Sequence, residues 1–308
     1  MNKKKNIVAA FCVLAVLFTA CQKEAESTNP VVDPPVPPVT NDSTFISKII
    51  GLDTTKAAPF DTVFVRTLEY DAQKRVIKNV ERFYNTTGGV DPNGAYIVTT
   101  KKYSGTDSLP YLCVVQNIDG VDNYTDSNFI TYQAGLVSLD SLVYHDLGVS
   151  HGQVSRHYRN GSTIKQVRAF YNNNVFSFKD SVVYNLTKIA GNITLQTSVI
   201  SPLVTNTYKV TYDDKINPLA KAGVDEYASY AGFLDFHIGD DDEDPTYYLQ
   251  PNNPTEIIND DGGQYNSHYT FGYKYNSRNY PTEILVKKIS GNGVDIDYNK
   301  ILFKYRNL

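Results

Sequence analysis

The sequence predicts an all-β fold: a large antiparallel meander that curls into a barrel or half-barrel. Three observations carry this. Apolar and polar residues alternate with a period of two in several segments. Clusters of Asn, Asp and Gly recur between those segments at hairpin spacing. The composition holds 24 Tyr and 14 Phe but one Met and no Trp, which suits wide, half-wet sheets better than helices.

The chain opens on a segment outside that fold. Lys3, Lys4 and Lys5 are followed by an uncharged apolar run, Ile7 to Phe18, then by small Thr19 and Ala20, then by Cys21. That order is a secretory signal. The run is too short to span a bilayer as a helix, which needs roughly 20 residues. It resembles a bacterial lipoprotein signal, which implies cleavage before Cys21 and acylation of that cysteine, the chain's link to a lipid bilayer. Phe18 departs from the leucine usual three places before the cysteine.

Gln22-Lys23-Glu24-Ala25-Glu26 lacks an Asp directly after the cysteine and resembles the Lys/acidic export tags of surface lipoproteins. The implied location is the outer membrane, facing outward, with a periplasm-facing placement as the alternative. Pro30, Pro34, Pro35, Pro37 and Pro38 then enforce an extended polyproline II spacer. The organisation is therefore 1–20 signal peptide, 21–43 lipidated cysteine and Pro-rich tether, and 44–308 a single β-sheet domain.

Within 44–308 the strands follow from parity. Tyr208, Val210 and Tyr212 share one face against Thr207, Lys209 and Thr211. Tyr269, Phe271, Tyr273 and Tyr275 oppose His268, Thr270, Gly272 and Lys274. Val294, Ile296 and Tyr298 are in one phase and Ile301, Phe303 and Tyr305 in the other, which predicts a bulge or tight turn near Asn299-Lys300. Turn signals such as Asp71-Ala72-Gln73-Lys74, Asn160-Gly161, Asn172-Asn173-Asn174 and Ala190-Gly191-Asn192 punctuate the chain and give roughly 14 strands. One stretch breaks the pattern. Pro218 suits a helix N1 position and Gly232 a stop, which predicts one short helix near 219–235.

A weak repeat links three of the turns. Tyr70-Asp71-Ala72-Gln73-Lys74-Arg75, Tyr275-Asn276-Ser277-Arg278-Asn279-Tyr280 and the divergent Tyr212-Asp213-Asp214-Lys215-Ile216-Asn217-Pro218 share one plan. A tyrosine closes a strand, Asp or Asn nucleates the turn, and the chain returns. These copies resemble the tyrosine–aspartate hairpin repeat. With Pro251-Asn252-Asn253-Pro254-Thr255-Glu256 and Tyr280-Pro281-Thr282-Glu283-Ile284, they resemble a family of uncharacterised bacterial lipoproteins with a large curved antiparallel sheet described as porin-like. The resemblance implies fold and brings no catalytic residues. Charged strand faces fit a water-facing domain better than a lipid-facing barrel.

Charge and cysteine use bound the chemistry. The net charge is −4, and the signal carries three lysines and no acid, so the chain without it is more acidic still. That argues against nucleic acid and against anionic lipid head groups as partners. Cys12 leaves with the signal and Cys21 carries lipid. Cys113 remains alone in the run Tyr111-Leu112-Cys113-Val114-Val115, where a buried structural thiol is expected.

The acidic loop Gly239–Pro245 places Asp240, Asp242 and Asp244 at alternate positions, a weak calcium candidate that lacks the glycine and distal glutamate of a calcium loop. His145, His151 and His157 recur every six residues and read as loop and strand-face histidines, not as metal ligands. No nucleophile elbow, phosphate loop or dinucleotide fingerprint occurs. The expected function is therefore a surface-anchored, non-enzymatic binding lipoprotein without a cofactor. Its tyrosine-rich sheet would meet a glycan or an envelope protein. A cell-envelope enzyme acting on polysaccharide through two carboxylates is the alternative.

Overall fold

The computed structural model describes residues 44–54, 61–84, 96–118, 123–146, 149–201, 204–222, 250–260, 267–289 and 295–308. Cys21 and the loop carboxylates Asp240, Asp242 and Asp244 lie outside these residues.

Period-two alternation produces sixteen strands. The first eight are β1 (Thr44–Asp53), β2 (Asp61–Tyr70), β3 (Val76–Phe83), β4 (Tyr96–Tyr103), β5 (Pro110–Ile118), β6 (Tyr124–Gln133), β7 (Leu136–Asp146) and β8 (Val149–Asn160). The second eight are β9 (Thr163–Asn172), β10 (Val175–Ile189), β11 (Asn192–Ser201), β12 (Val204–Ile216), β13 (Asn252–Asp260), β14 (Ser267–Tyr275), β15 (Pro281–Ile289) and β16 (Asp295–Asn307). Each strand pairs antiparallel with its sequence neighbours, and β1 pairs with β16, so the meander closes into a barrel and leaves no edge.

The strand count exceeds the expected 14. Of the short helix expected over 219–235, the described residues show only a 3₁₀ turn, Pro218–Ala222, and the stretch from 223 onward lies outside them. Asn217 caps this turn by accepting the Leu219 amide at 3.0 Å. The parity slip near the C-terminus is a bulge at Tyr298: Val286 pairs with Asn299 while Lys287 pairs with Asp297.

The tyrosine turns are copies of one structure. Asp71 and Asn276 each donate their amide to the residue four places on, Arg75 and Tyr280, and accept the amide of Lys74 and Asn279. Their side-chain oxygens accept the amides of Arg75 at 2.9 Å and Tyr280 at 3.1 Å. Lys74 and Asn279 take the same left-handed φ, 64° and 62°. In the third copy Asp213 bonds Lys215 and Asn253 instead, bracketing the long β12–β13 connection.

The tyrosines have a second task. Tyr70, Tyr103, Tyr132, Tyr212, Tyr273 and Tyr305 each donate their hydroxyl to a carbonyl near the start of the preceding strand: Ile46, Val76, Pro110, Ile193, Pro254 and Pro281. These bonds ring the barrel at the end where Thr44 enters. Tyr70, Tyr212, Tyr273 and Tyr305 pack against the inner core, and among the described residues Tyr208, Tyr269 and Tyr280 are buried outright.

The inner face is packed rather than hollow. A single core gathers Ile46, Ile49, Phe64, Leu68, Ile193, Tyr208, Ile257, Tyr269, Val286 and Phe303 among others, from β1–β3, β9–β16 and the 3₁₀ turn. Ile49, Ile193, Ile257, Tyr269 and Val286 have no exposure at all. Sixteen-stranded membrane barrels leave an aqueous channel, whereas the described residues of this sector pack into a core. At Gly51 the Phe64 ring lies where a Cβ would stand, 2.2–2.8 Å from three ring carbons, so only glycine fits there.

Candidate functional site

Two places concentrate chemistry: a buried polar sector of the inner face and an exposed aromatic hairpin.

The polar sector spans β3 to β8, with Arg66 of β2 at its edge. Alternation turns Arg66, Asn79, Glu81, Thr99, Lys101, Asp126, Asn128, Asp140, Ser155 and His157 inward, and all are buried. Arg66 and Glu81 form an ion pair at 2.6 Å. His157 Nε2 and Asp140 Oδ2 meet at 2.6 Å with both side chains wholly enclosed. The sequence placed His157 on a strand face without an acidic partner; cross-strand register supplies one, since Asp140 pairs with Ser155, two residues away. His151 instead meets Asn172 at 2.8 Å and stacks on Tyr144.

Lys101 sits directly across from Cys113 in the β4–β5 ladder. Burial pushes the Lys101 ammonium down to about 7. Burial pushes the Cys113 thiol up, against the pull of Lys101. Cys113 is a buried free thiol, as its apolar run predicts. Among the described residues Glu81 Oε1, Asp140 Oδ1, His157 Nδ1 and both amide atoms of Asn128 find no hydrogen-bond partner. None of these groups is accessible to a substrate. Among the described residues no three His, Cys, Asp or Glu side chains converge as metal ligands.

Carboxyls nearer the surface are tuned the wrong way for acid catalysis. Lys274 and Lys300 clasp Glu283 at 2.8 and 3.1 Å and hold it below the usual carboxylate range. Lys215 does the same to Asp214. Burial raises Asp71, but its bonds to Arg75 outweigh that and lower it. A general acid needs the opposite displacement.

The aromatic hairpin joins β9 to β10. Its tip, Asn173-Asn174, takes φ of 48° and 64°, the left-handed pair of a type I′ turn that asparagine tolerates. A register shift between Phe176 and Phe178 sets its two faces. Phe176 pairs with Tyr171 and Phe178 with Phe170, so the bulge sends alternate aromatics to opposite faces of the ribbon. Phe170 stacks on Phe178 at 4.4 Å, and Tyr171 meets Phe176 edge-on at 5.9 Å. Below them Arg168 makes a two-pronged pair with Asp180, at 2.8 and 2.6 Å, and fixes the base of the hairpin. Val175, Phe176 and Phe178 nevertheless remain 68 %, 56 % and 52 % exposed. Sequence reasoning found the turn and missed the platform, because the bulge breaks the parity on which side-chain direction was read.

The comparisons bear on the fold. No family model matches the chain, and no curated protein matches it. Among solved structures, a porin-like protein from Bacteroides uniformis superposes with a TM-score of 0.51 at 11% identity, covering 85% of this chain and 98% of that one. A porin-like protein from Bacteroides vulgatus gives 0.49 at 15% identity, covering 86% and 100%. The first likeness shows the same barrel fold and transfers no residue roles at that identity.

Proposed function

We propose that this chain is a surface-anchored, non-enzymatic binding lipoprotein. Acylated Cys21 and the 21–43 tether hold it to the outer membrane, and the β9–β10 hairpin presents its contact surface to a protein partner. One observation carries this reading. Three large apolar side chains at a two-residue turn, Val175, Phe176 and Phe178, stay more than half exposed, although their neighbours are locked by stacking and by the Arg168–Asp180 pair. A soluble barrel gains nothing from such a tip unless something covers it.

Topology supports the orientation. Strands alternate in direction, so the β9–β10 turn lies at the end opposite Thr44, where the tether joins. The outer wall supports a barrel standing in water. Arg156, Lys165 and Lys209 project outward between buried neighbours, and Glu256–His268 and Glu283–Lys300 pair across it. A lipid-facing wall carries apolar side chains at such positions, and each Lys or Arg near its midplane costs about 2–4 kcal/mol. Phenylalanine at the tip, with no hydroxyl to offer a sugar, favours a protein partner over a glycan.

The test is site-specific photo-crosslinking on intact cells, with the crosslinker at position 176 and, as control, at position 209. A discrete protein adduct from 176 and none from 209 is the expected result. Equal labelling from both positions overturns the hairpin as contact surface. The same protein run on native gels cast with a polysaccharide panel is expected to migrate unretarded. Retardation lost in Phe176→Ser/Phe178→Ser would make the partner a glycan, and release of oligosaccharide would overturn the non-enzymatic reading.

A further inference from the structure

At the other end of the barrel, where β1 closes on β16, an open cleft of about 230 Å³ is lined by Thr44, Asn276, Ser277, Arg278, Tyr305, Arg306 and Asn307. We propose that this cleft binds a phosphate-class oxyanion between Arg278 and Arg306.

The turn repeat supplies the first argument. Its two close copies differ at the residue that nucleates them. In the β2–β3 turn the nucleator is Asp71, whose carboxylate takes Arg75 Nε at 2.7 Å. Arg75 spends its remaining donors on the carbonyls of Gly105 and Asp107. In the β14–β15 turn the nucleator is Asn276. It makes the same backbone bonds, to the amides of Arg278 and Tyr280, without a charge. The turn is kept with a neutral nucleator, so Arg278, at the position Gln73 fills in the first copy, has no carboxylate within its own turn.

The second argument is saturation. Arg66, Arg75 and Arg168 each meet a carboxylate, Glu81, Asp71 and Asp180. Among the described residues Arg278 and Arg306 meet no carboxylate. Arg278 donates Nη1 to Thr44 Oγ1 at 2.9 Å. Arg306 lies 5.2 Å over the Tyr70 ring and reaches the Leu68 carbonyl at 3.5 Å. Each guanidinium is held from behind by neutral groups and keeps several N–H donors for the cleft. The Ser277 hydroxyl and the Asn276 and Asn307 amides add neutral polar groups to the lining. Forked donors in a partly enclosed site match the oxygens of a phosphate. The acidic balance of the whole chain does not prevent this, because screening confines it to about 8–10 Å.

The test is thermal unfolding of the full-length protein in detergent, titrated with inorganic phosphate against chloride at constant ionic strength. Phosphate is expected to raise the midpoint. Arg278→Gln/Arg306→Gln should weaken apparent affinity at least about tenfold. Asn276→Asp, which keeps the turn and restores the acid of its sister copy, should weaken it in the same direction while the midpoint in chloride stays near that of the parent. No phosphate-dependent shift, or a shift unchanged in both variants, overturns the proposal. Flotation with vesicles containing phosphatidic acid or only phosphatidylcholine then separates the sources. Arginine-dependent flotation with the former assigns the site to lipid headgroups; phosphate binding without flotation assigns it to a soluble phosphate.

Discussion

The inner face of the barrel is built in two ways. From β9 round through β16 to β2 it is dominated by aliphatic and aromatic side chains that form one core. From β3 to β8 the described residues bury Asn, Thr, Asp, Glu, Lys and His beside a small apolar cluster of Cys113, Ile130 and Val137, backed by Tyr132. Both sectors share the same ladder, pleat and tyrosine ring. The hydrogen-bonded wall therefore closes whatever fills it, and the filling decides how the fold answers mutation and pH. An apolar sector loses stability through cavities; a polar one loses it through charges left without partners.

The largest effect should separate those two failure modes. Ile257→Ala opens a cavity in the apolar sector and should cost about 2–5 kcal/mol. Asp140→Ala should cost a similar amount, about 3–5 kcal/mol, by stranding His157. Repair tells them apart. Asp140→Leu/His157→Met removes both polar partners at once and should return stability to within about 1 kcal/mol of the parent in denaturant unfolding. A double variant as unstable as Asp140→Ala would break the comparison, because the polar sector would then depend on the pair itself.

The next effect is a pH dependence unique to the polar side. Lys101 keeps its proton in the unfolded chain until about 10.5 but surrenders it at about 7 when folded. Between those values the unfolded state binds more protons, so stability rises with pH, at up to about 1.4 kcal/mol per unit. Below pH 7 the full cost of the buried charge is present. Lys101→Met should raise stability most at pH 6, and the gain should shrink steadily toward pH 9. Cys113 works the other way only above its ordinary value of 9.0, so the window of pH 7–9 isolates Lys101. A pH-independent gain would show that the ammonium reaches water in the folded state.

The tyrosine ring should ignore the boundary between sectors. Tyr132 serves the polar side and Tyr212 the apolar side, each bonding a strand-start carbonyl, at 2.8 and 2.9 Å. Tyr132→Phe and Tyr212→Phe should each cost about 1–2 kcal/mol. Costs differing by more than that would mean the wall is not independent of its filling.

The legible parts of the fold were those with local signatures. Alternation through Tyr269–Tyr275, the Tyr-Asp turns and the C-terminal bulge all follow from residues adjacent in sequence. The strand count fell short because some turns are nearly silent. Ala134-Gly135 separates β6 from β7 without the Asn or Asp that marks the others. The Asp140–His157 pair was illegible because strand register, not spacing, joins residues 17 apart. The phenylalanine platform was illegible because a bulge between Phe176 and Phe178 reverses the direction that alternation assigns. The oxyanion cleft draws on β1, the β14–β15 turn and β16, which only closure of the barrel brings together.

The two Ala-Gly turns give the smallest test of the comparison. Ala134 at the β6–β7 turn and Ala190 at the β10–β11 turn both hold φ of 52°, each followed by a glycine, at 78° and 84°. That is the type I′ geometry, in which an alanine Cβ crowds its own carbonyl at a cost of roughly 1–2 kcal/mol. Asparagine tolerates this region better and forms the favoured Asn-Gly pair. Ala134→Asn and Ala190→Asn should each stabilise the barrel by about 0.5–1 kcal/mol, seen as a higher denaturant midpoint with an unchanged slope. Ala134 closes strands of the polar sector and Ala190 strands of the apolar one. Equal gains would place turn strain, like the tyrosine ring, in the wall alone. A gain at Ala190 without one at Ala134 would show that the polar sector opens locally before the wall does, so that relieving its turn changes nothing the global transition reports.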